Sequence, residues 1–216
     1  MKRYQFLLSF SFFSSLASQG VLDQQFIAQF ITHEAPWHDS HGATLTDIGG
    51  GLLYYTLTYI HKAKLCVCLG SGGGFVPRLM RQAQRDLQLP HARTVVVDGD
   101  LGSWGRPIWL AKKSFFRTNY PEIKVVLSTT QQAARKYAKK WRIDYLHIDA
   151  DHSEAGVLQD FTDYLPLMAP RGMITFHDTA PNRLPCAKIV MILRERGYQI
   201  VNFAHLGAGV ALLYLG

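Results

Sequence analysis

Long apolar runs are missing from this 216-residue chain. The most apolar stretch, Phe6 to Leu16, is broken by Ser9, Ser11, Ser14 and Ser15 and is far too short to span a bilayer, so no transmembrane segment is expected. Cysteine is scarce, with three residues in all. Cys66 and Cys68 stand too close for a disulfide of normal geometry, and C-x-C without a second pair is a weak zinc signature. Free thiols, buried in a reducing compartment, are the expectation for them and for Cys186. No Pro- or Ser-rich linker, internal repeat or low-complexity tract divides the chain, whose length suits one α/β domain. Charged residues make up only 18%, but a hydrophobic fraction of 48% excludes a disordered chain. Acidic residues are outnumbered, 16 against 23 basic, for a net charge of +7. The basic residues are scattered, and the densest group, Arg135-Lys136 with Lys139-Lys140, reads as one solvated helix face. No nucleic-acid-binding signature accompanies it, so a nucleic-acid partner is not expected.

What is present is an alternation of strand-like and helix-like segments. Lys2-Arg3 before the apolar stretch has the look of a short secretory signal, with Ser15-Leu16-Ala17 as a cleavage site; the favoured reading is a first helix running into Val21–Phe30. Residues 1–43 form this helical segment and a lid loop that carries Trp37, His38, Asp39 and His41, and residues 44–216 form the main domain. Thr46-Asp47 offers an N-cap to a helix through Leu52, Leu53, Leu57 and Ile60. Strands are expected at Leu65–Leu69, Thr94–Val97, Ile123–Leu127, Tyr145–Ile148 and Met173–Phe176, with helices over Val76–Asp86, Gln131–Lys140, Ser153–Leu167 and Cys186–Arg196 between and after them. The tail differs: Tyr198–Phe203 and Val210–Leu215 are separated by Gly207-Ala208-Gly209 with no helix, which requires antiparallel pairing. The fold class that follows is α/β, a Rossmann-like open sheet, mostly parallel with a reversed C-terminal strand and helices on both faces.

Ligands of open parallel sheets bind beyond the carboxyl ends of the strands. Four polar clusters fall there in phase: Gly70 to Gly74, Asp98 with Asp100, Asp149-Asp151-His152, and His177-Asp178. Gly70, Ser71, Gly72 and Gly74 let backbone approach a ligand and open a helix. Counting from Gly70, the third position of the dinucleotide fingerprint is Phe75, so a nucleoside without a diphosphate fits better than a nicotinamide dinucleotide. Asp98 is placed to accept from ribose hydroxyls, against an Asx turn as its structural role. Asp149, His177 and Asp178 offer donors to a divalent cation, Mg²⁺ or another, and His152 a proton acceptor; a polar turn capping the next helix is the equal alternative.

The segment from Ile143 to Thr179, IDYLHIDADHSEAGVLQDFTDYLPLMAPRGMITFHDT, resembles class I S-adenosylmethionine-dependent methyltransferases, in particular the group of macrolide-sugar O-methyltransferases and cephalosporin-hydroxylase-like proteins. The pattern is an apolar strand, Asp-x-x-His, an acidic helix, and a strand ending in His-Asp. The resemblance is looser from about Thr44 onward. It implies S-adenosylmethionine held by Gly70, Gly72 and Asp98, with Asp149 beside it. It also implies metal ligands at Asp149, His177 and Asp178, His152 as general base, and O-methylation of a small hydroxylated acceptor in the cytoplasm. Two positions depart from that group. Cys68 stands where an acid usually precedes the first glycine, and His177, where an acid is common, favours a softer ion than Mg²⁺. The first departure keeps open a non-catalytic cofactor- or partner-binding member of the fold, the net charge a nucleic-acid methyltransferase; a homo-oligomer is also left open.

Overall fold

The structure is a computed structural model that describes residues 22–70, 72–99, 113–183 and 185–216. The helix expected over the first twenty residues, and Ser71 and Asp100, lie outside the described residues. A strand whose alternate side chains are all apolar can be satisfied only between two covered faces. Strand β1 (Leu65–Leu69) is such a run, buried at every position. It lies between β2 (Arg93–Asp98) and β4 (Ile143–Ile148), parallel to both. Outside these come β3 (Lys124–Leu127), paired with β2, and β5 (Met168–His177), paired with β4, again parallel. The tail forms β6 (Ile200–Phe203) and β7 (Val210–Tyr214). β7 inserts antiparallel between β5 and β6, giving the order β3-β2-β1-β4-β5-β7-β6 and the expected single reversed strand.

Helices cover both faces. Leu65, Val67 and Leu69 of β1 pack in one core with α5 (Thr130–Tyr137), α6 (Glu154–Tyr164) and α7 (Lys188–Glu195). Cys66 and Cys68 point the other way, into a core with α2 (Gly51–His61), α3 (Phe75–Asp86) and α4 (Phe115–Asn119). All three cysteines are free and buried, and burial pushes the Cys66 and Cys68 thiols up. A thiolate is the reactive form. The native chain is therefore expected to leave all three thiols unreacted with an aromatic disulfide reagent, and to release three equivalents once denatured.

Helix α2 starts later than its sequence suggested. Thr44 Oγ1 accepts from the Asp47 amide, and the Asp47 carboxylate accepts from the Gly49 amide, so these polar groups close a turn and cap nothing. Gly50 is the N-cap, without a side-chain bond. Gly51 follows because a β-carbon there would sit 2.6 Å from the Phe75 ring of α3.

The N-terminal segment is tied to α3 by one residue. After α1 (Gln24–Phe26), capped by Asp23, the chain makes a π turn over Ile27–Ile31. The fully buried Arg78 donates to the carbonyls of Ile31, His33 and Glu34 and lies 5.5 Å from the ring centres of both Phe115 and Phe116. Arg78→Met keeps the bulk but strands three carbonyls. It is expected to cost about 3 kcal/mol in urea unfolding and to open residues 33–42 to limited proteolysis.

Candidate functional site

The chain leaves β1 for β2 and β3 on one side and returns to β4 and β5 on the other. The switch point between β1 and β4 is the crevice where such sheets bind ligands. Gly70 stands there. Its amide donates to Val97 O (2.9 Å), and the Asp149 amide donates to Leu69 O (2.8 Å), so the two strand ends are locked together. With φ at +74° and Asp149 O only 1.8 Å from where a β-carbon would be, the position admits only glycine. Gly73 and Gly74 are also left-handed, and Pro36 of the N-terminal loop seats on Gly73. Asp98 is the last residue of β2, half-buried beside the crevice. Cys68, in the place of the usual acid, lies with Sγ 3.4 Å from Met80 Sδ and faces an apolar core.

Asp149 and His177 come together as adjacent strand ends: His177 Nδ1 is 3.1 Å from Asp149 Oδ1, and both are buried. His177 Nε2 also lies 3.3 Å from the Ser40 carbonyl. Burial alone would raise Asp149, but His177 and His147 hold it well below the ordinary carboxylate range. Burial would likewise lower His177, but Asp149, Asp178 and the Ser40 carbonyl raise it. Two further histidines complete the cluster. His147, on β4, is driven down by burial, and its Nε2 is 3.8 Å from Asp149 Oδ2. His41 arrives from the turn His38–His41 and lies fully buried, stacked on Phe75, with its ring centre 4.1 Å from that of His177. Burial, then His177, holds its pKa well below the ordinary value.

Asp178, in the left-handed region at φ +57°, turns the other way. Its Oδ2 is 2.6 Å from His152 Nδ1, and Arg183 Nε is 3.9 Å from its Oδ1. This pairing, helped by the Cys186 side chain beside the ring, raises His152 to about 10. His152 is half exposed, so a molecule from solution can reach it.

The expected trio is brought together only in part: His177 Nδ1 lies 3.1 Å from Asp149 Oδ1 and 3.7 Å from Asp178 Oδ1, but the second Asp178 oxygen is taken by His152. Donor atoms within 4.8 Å of one another form two groups among the described residues, His41 with Asp149 and His177, and His152 with Asp178 and Cys186. His41 was read as part of a lid and His147 was assigned no role. The signal available for His147 was its position, two residues before Asp149 on the same strand face. For His41, more than a hundred residues from its partners, there was none.

A family model described as a methyltransferase domain matches residues 67–179, just over half of the chain. No curated protein sequence matches the chain. Solved structures share the fold. An O-methyltransferase of tomaymycin synthesis from Streptomyces achromogenes, in complex with SAM, is similar at a TM-score of 0.66 and 15% identity, over 91% of this chain and 93% of that one. A methyltransferase from Podospora anserina, bound to SAH, gives 0.64 and 14% over 91% and 89%. An O-methyltransferase from Bacillus cereus, also with SAH, gives 0.59 and 14% over 77% and 80%.

Proposed function

The chain belongs to the methyltransferase-domain family, as an S-adenosylmethionine-dependent class I member, and from that premise we propose that it methylates a hydroxyl oxygen of a small acceptor. The observation that carries the oxygen reading is the 2.6 Å contact of His152 Nδ1 with Asp178 at the mouth of the crevice. A carboxylate bonded to one ring nitrogen fixes the imidazole and leaves Nε2 to take a proton from a hydroxyl. The O-methyltransferases among the structural neighbours agree with that reading.

The crevice fits the methyl donor. Gly70, Gly72 and Gly74 offer backbone without side chains, Asp98 is placed for the ribose hydroxyls, and Asp149 stands beside Gly70. Bound there, S-adenosylmethionine supplies an electrophilic methyl group on a sulfonium. The chain's own work is to position the acceptor oxygen in line and to remove its proton at His152, demands met by orientation more than by covalent chemistry. The oxygen-rich set that Mg²⁺ prefers does not fit, because Asp178 is engaged by His152 and the remaining carboxylate sits among imidazoles. No step here passes through it.

The test is calorimetric titration with S-adenosylmethionine, followed by label transfer from it to a panel of phenols, catechols, sugars and aliphatic alcohols. Binding with transfer to a hydroxyl supports the proposal. Binding with no transfer to any acceptor would point instead to the non-catalytic alternative.

A further inference from the structure

Two buried ring nitrogens in this crevice have no hydrogen-bond partner, His41 Nε2 and His147 Nε2. His41 is fully buried, so its Nε2 has neither water nor a protein group to satisfy it. His147 Nδ1 is 2.9 Å from the Thr175 hydroxyl, which in turn lies 3.2 Å from the Tyr145 oxygen. His147 Nε2 lies 3.8 Å from Asp149 Oδ2. Donors each about 2.0–2.1 Å from one ion lie up to about 4 Å apart, so neighbouring donor atoms a few ångströms from one another can share one cation.

Three donors converge around His41. His41, Asp149 and His177 each offer an atom within 4.8 Å of the other two, and His177 Nδ1 is 3.1 Å from Asp149 Oδ1. The second nitrogen of His41 is 2.9 Å from the Tyr54 hydroxyl, as ligating histidines are commonly held through their other nitrogen. The turn that carries His41 is itself fixed: the Ala208 amide donates to Ser40 O (2.7 Å) and the Gly50 amide to His41 O (2.8 Å).

We infer that His41, Asp149 and His177 bind one borderline divalent transition-metal ion of the zinc class. Imidazole-rich donors around a single carboxylate suit zinc, cobalt or iron and disfavour the oxygen-seeking Mg²⁺. The ion pins the N-terminal turn to the ends of β4 and β5, and His41 lies outside the residues that the family model matches. The second donor group is different: His152 Nδ1 is taken by Asp178 and the Cys186 thiol by the His152 carbonyl. The inference does not rest on methyl transfer, since the ion is detected by binding alone.

The test uses the full chain, stripped with chelator, then titrated with Zn²⁺, Co²⁺ and Mg²⁺ by calorimetry and, for Co²⁺, by visible absorption. Expected are one Zn²⁺ per chain and Co²⁺ d–d bands of a low-coordinate nitrogen-and-oxygen site. Mg²⁺ should bind at least 100-fold more weakly than Zn²⁺. His41→Gln should lower Zn²⁺ affinity at least 100-fold, and His61→Ala, on α2, should not change it. Should His41→Gln fail to fold, the Co²⁺ spectrum of the unmodified chain decides. Absence of stoichiometric Zn²⁺, an octahedral water-like Co²⁺ spectrum, unchanged affinity in a folded His41→Gln, or preference for Mg²⁺ would each overturn the inference.

Discussion

His152→Gln is expected to lower kcat for methyl transfer by about 10²–10⁴-fold, the range typical of a lost general base, while the affinity for S-adenosylmethionine is unchanged. The residue follows β4 and stands apart in sequence from the glycine turn after β1 and from Asp98 at the end of β2, so donor binding and proton removal are expected to separate at this position. The pH dependence follows from Asp178. That carboxylate, 2.6 Å from Nδ1, raises His152 to about 10, so the ring is protonated and cannot accept a proton at neutral pH. The unmodified chain should therefore show kcat/KM rising with pH toward a plateau near 10. Asp178→Asn removes the charge and should move that limb down toward the ordinary imidazole value of about 6.5, with a lower plateau because the ring is less well oriented. The linkage to stability has the same sign. A raised histidine contributes fully below about 6.5 and loses its contribution as pH rises through about 10, and half exposure keeps the amount small. A flat profile between pH 6 and 10, or full activity in His152→Gln, would remove His152 as the base.

How far the sequence carries can be judged from particular elements. β1 was legible end to end, because a five-residue apolar run before glycine has few other ways to be buried. The reversed β7 was legible because no helix separates it from β6. β5 was read too short, Met173–Phe176 against Met168–His177, since Pro170 and Arg171 hide the start and pairing with β4 shifts register between Ile143 and Tyr145. The start of α2 was misplaced at Thr46-Asp47 because Asp47 has turn chemistry that imitates a cap: its amide donates to Thr44 Oγ1 and its carboxylate accepts from the Gly49 amide. At the site, Asp149, His177, His152 and Asp178 could be found by phase with the strands. How they pair could not, because Asp178, at a left-handed φ of +57°, divides its two oxygens between His152 and His177. His41 and Arg78 act across distances that no local pattern encodes. Each is a polar group made acceptable in a core by neighbours from elsewhere in the chain.

Gly70→Ala should be the most damaging small substitution in the described crevice. Two costs add. The backbone at φ +74° is one that L-residues reach at about 1–2 kcal/mol. The new methyl would also lie 1.8 Å from Asp149 O, a backbone atom fixed by the bond from its own amide to Leu69 O, so it cannot swing aside as a side chain could. The ends of β1 and β4 must part, for a total of about 3–4 kcal/mol, and a domain of this size would lose about 8–15 °C in Tm. The same movement displaces Asp149 and the glycine turn, so S-adenosylmethionine affinity should fall more than tenfold. Gly197→Ala separates the two costs. Its φ is +85°, but nothing lies within 4 Å of the added carbon, so about 1 kcal/mol and unchanged donor binding are expected there. Thermal melts and calorimetry on both variants measure the difference. If the two lose equal stability, close approach of β1 to β4 is not what demands glycine at position 70, and the backbone angle alone accounts for it.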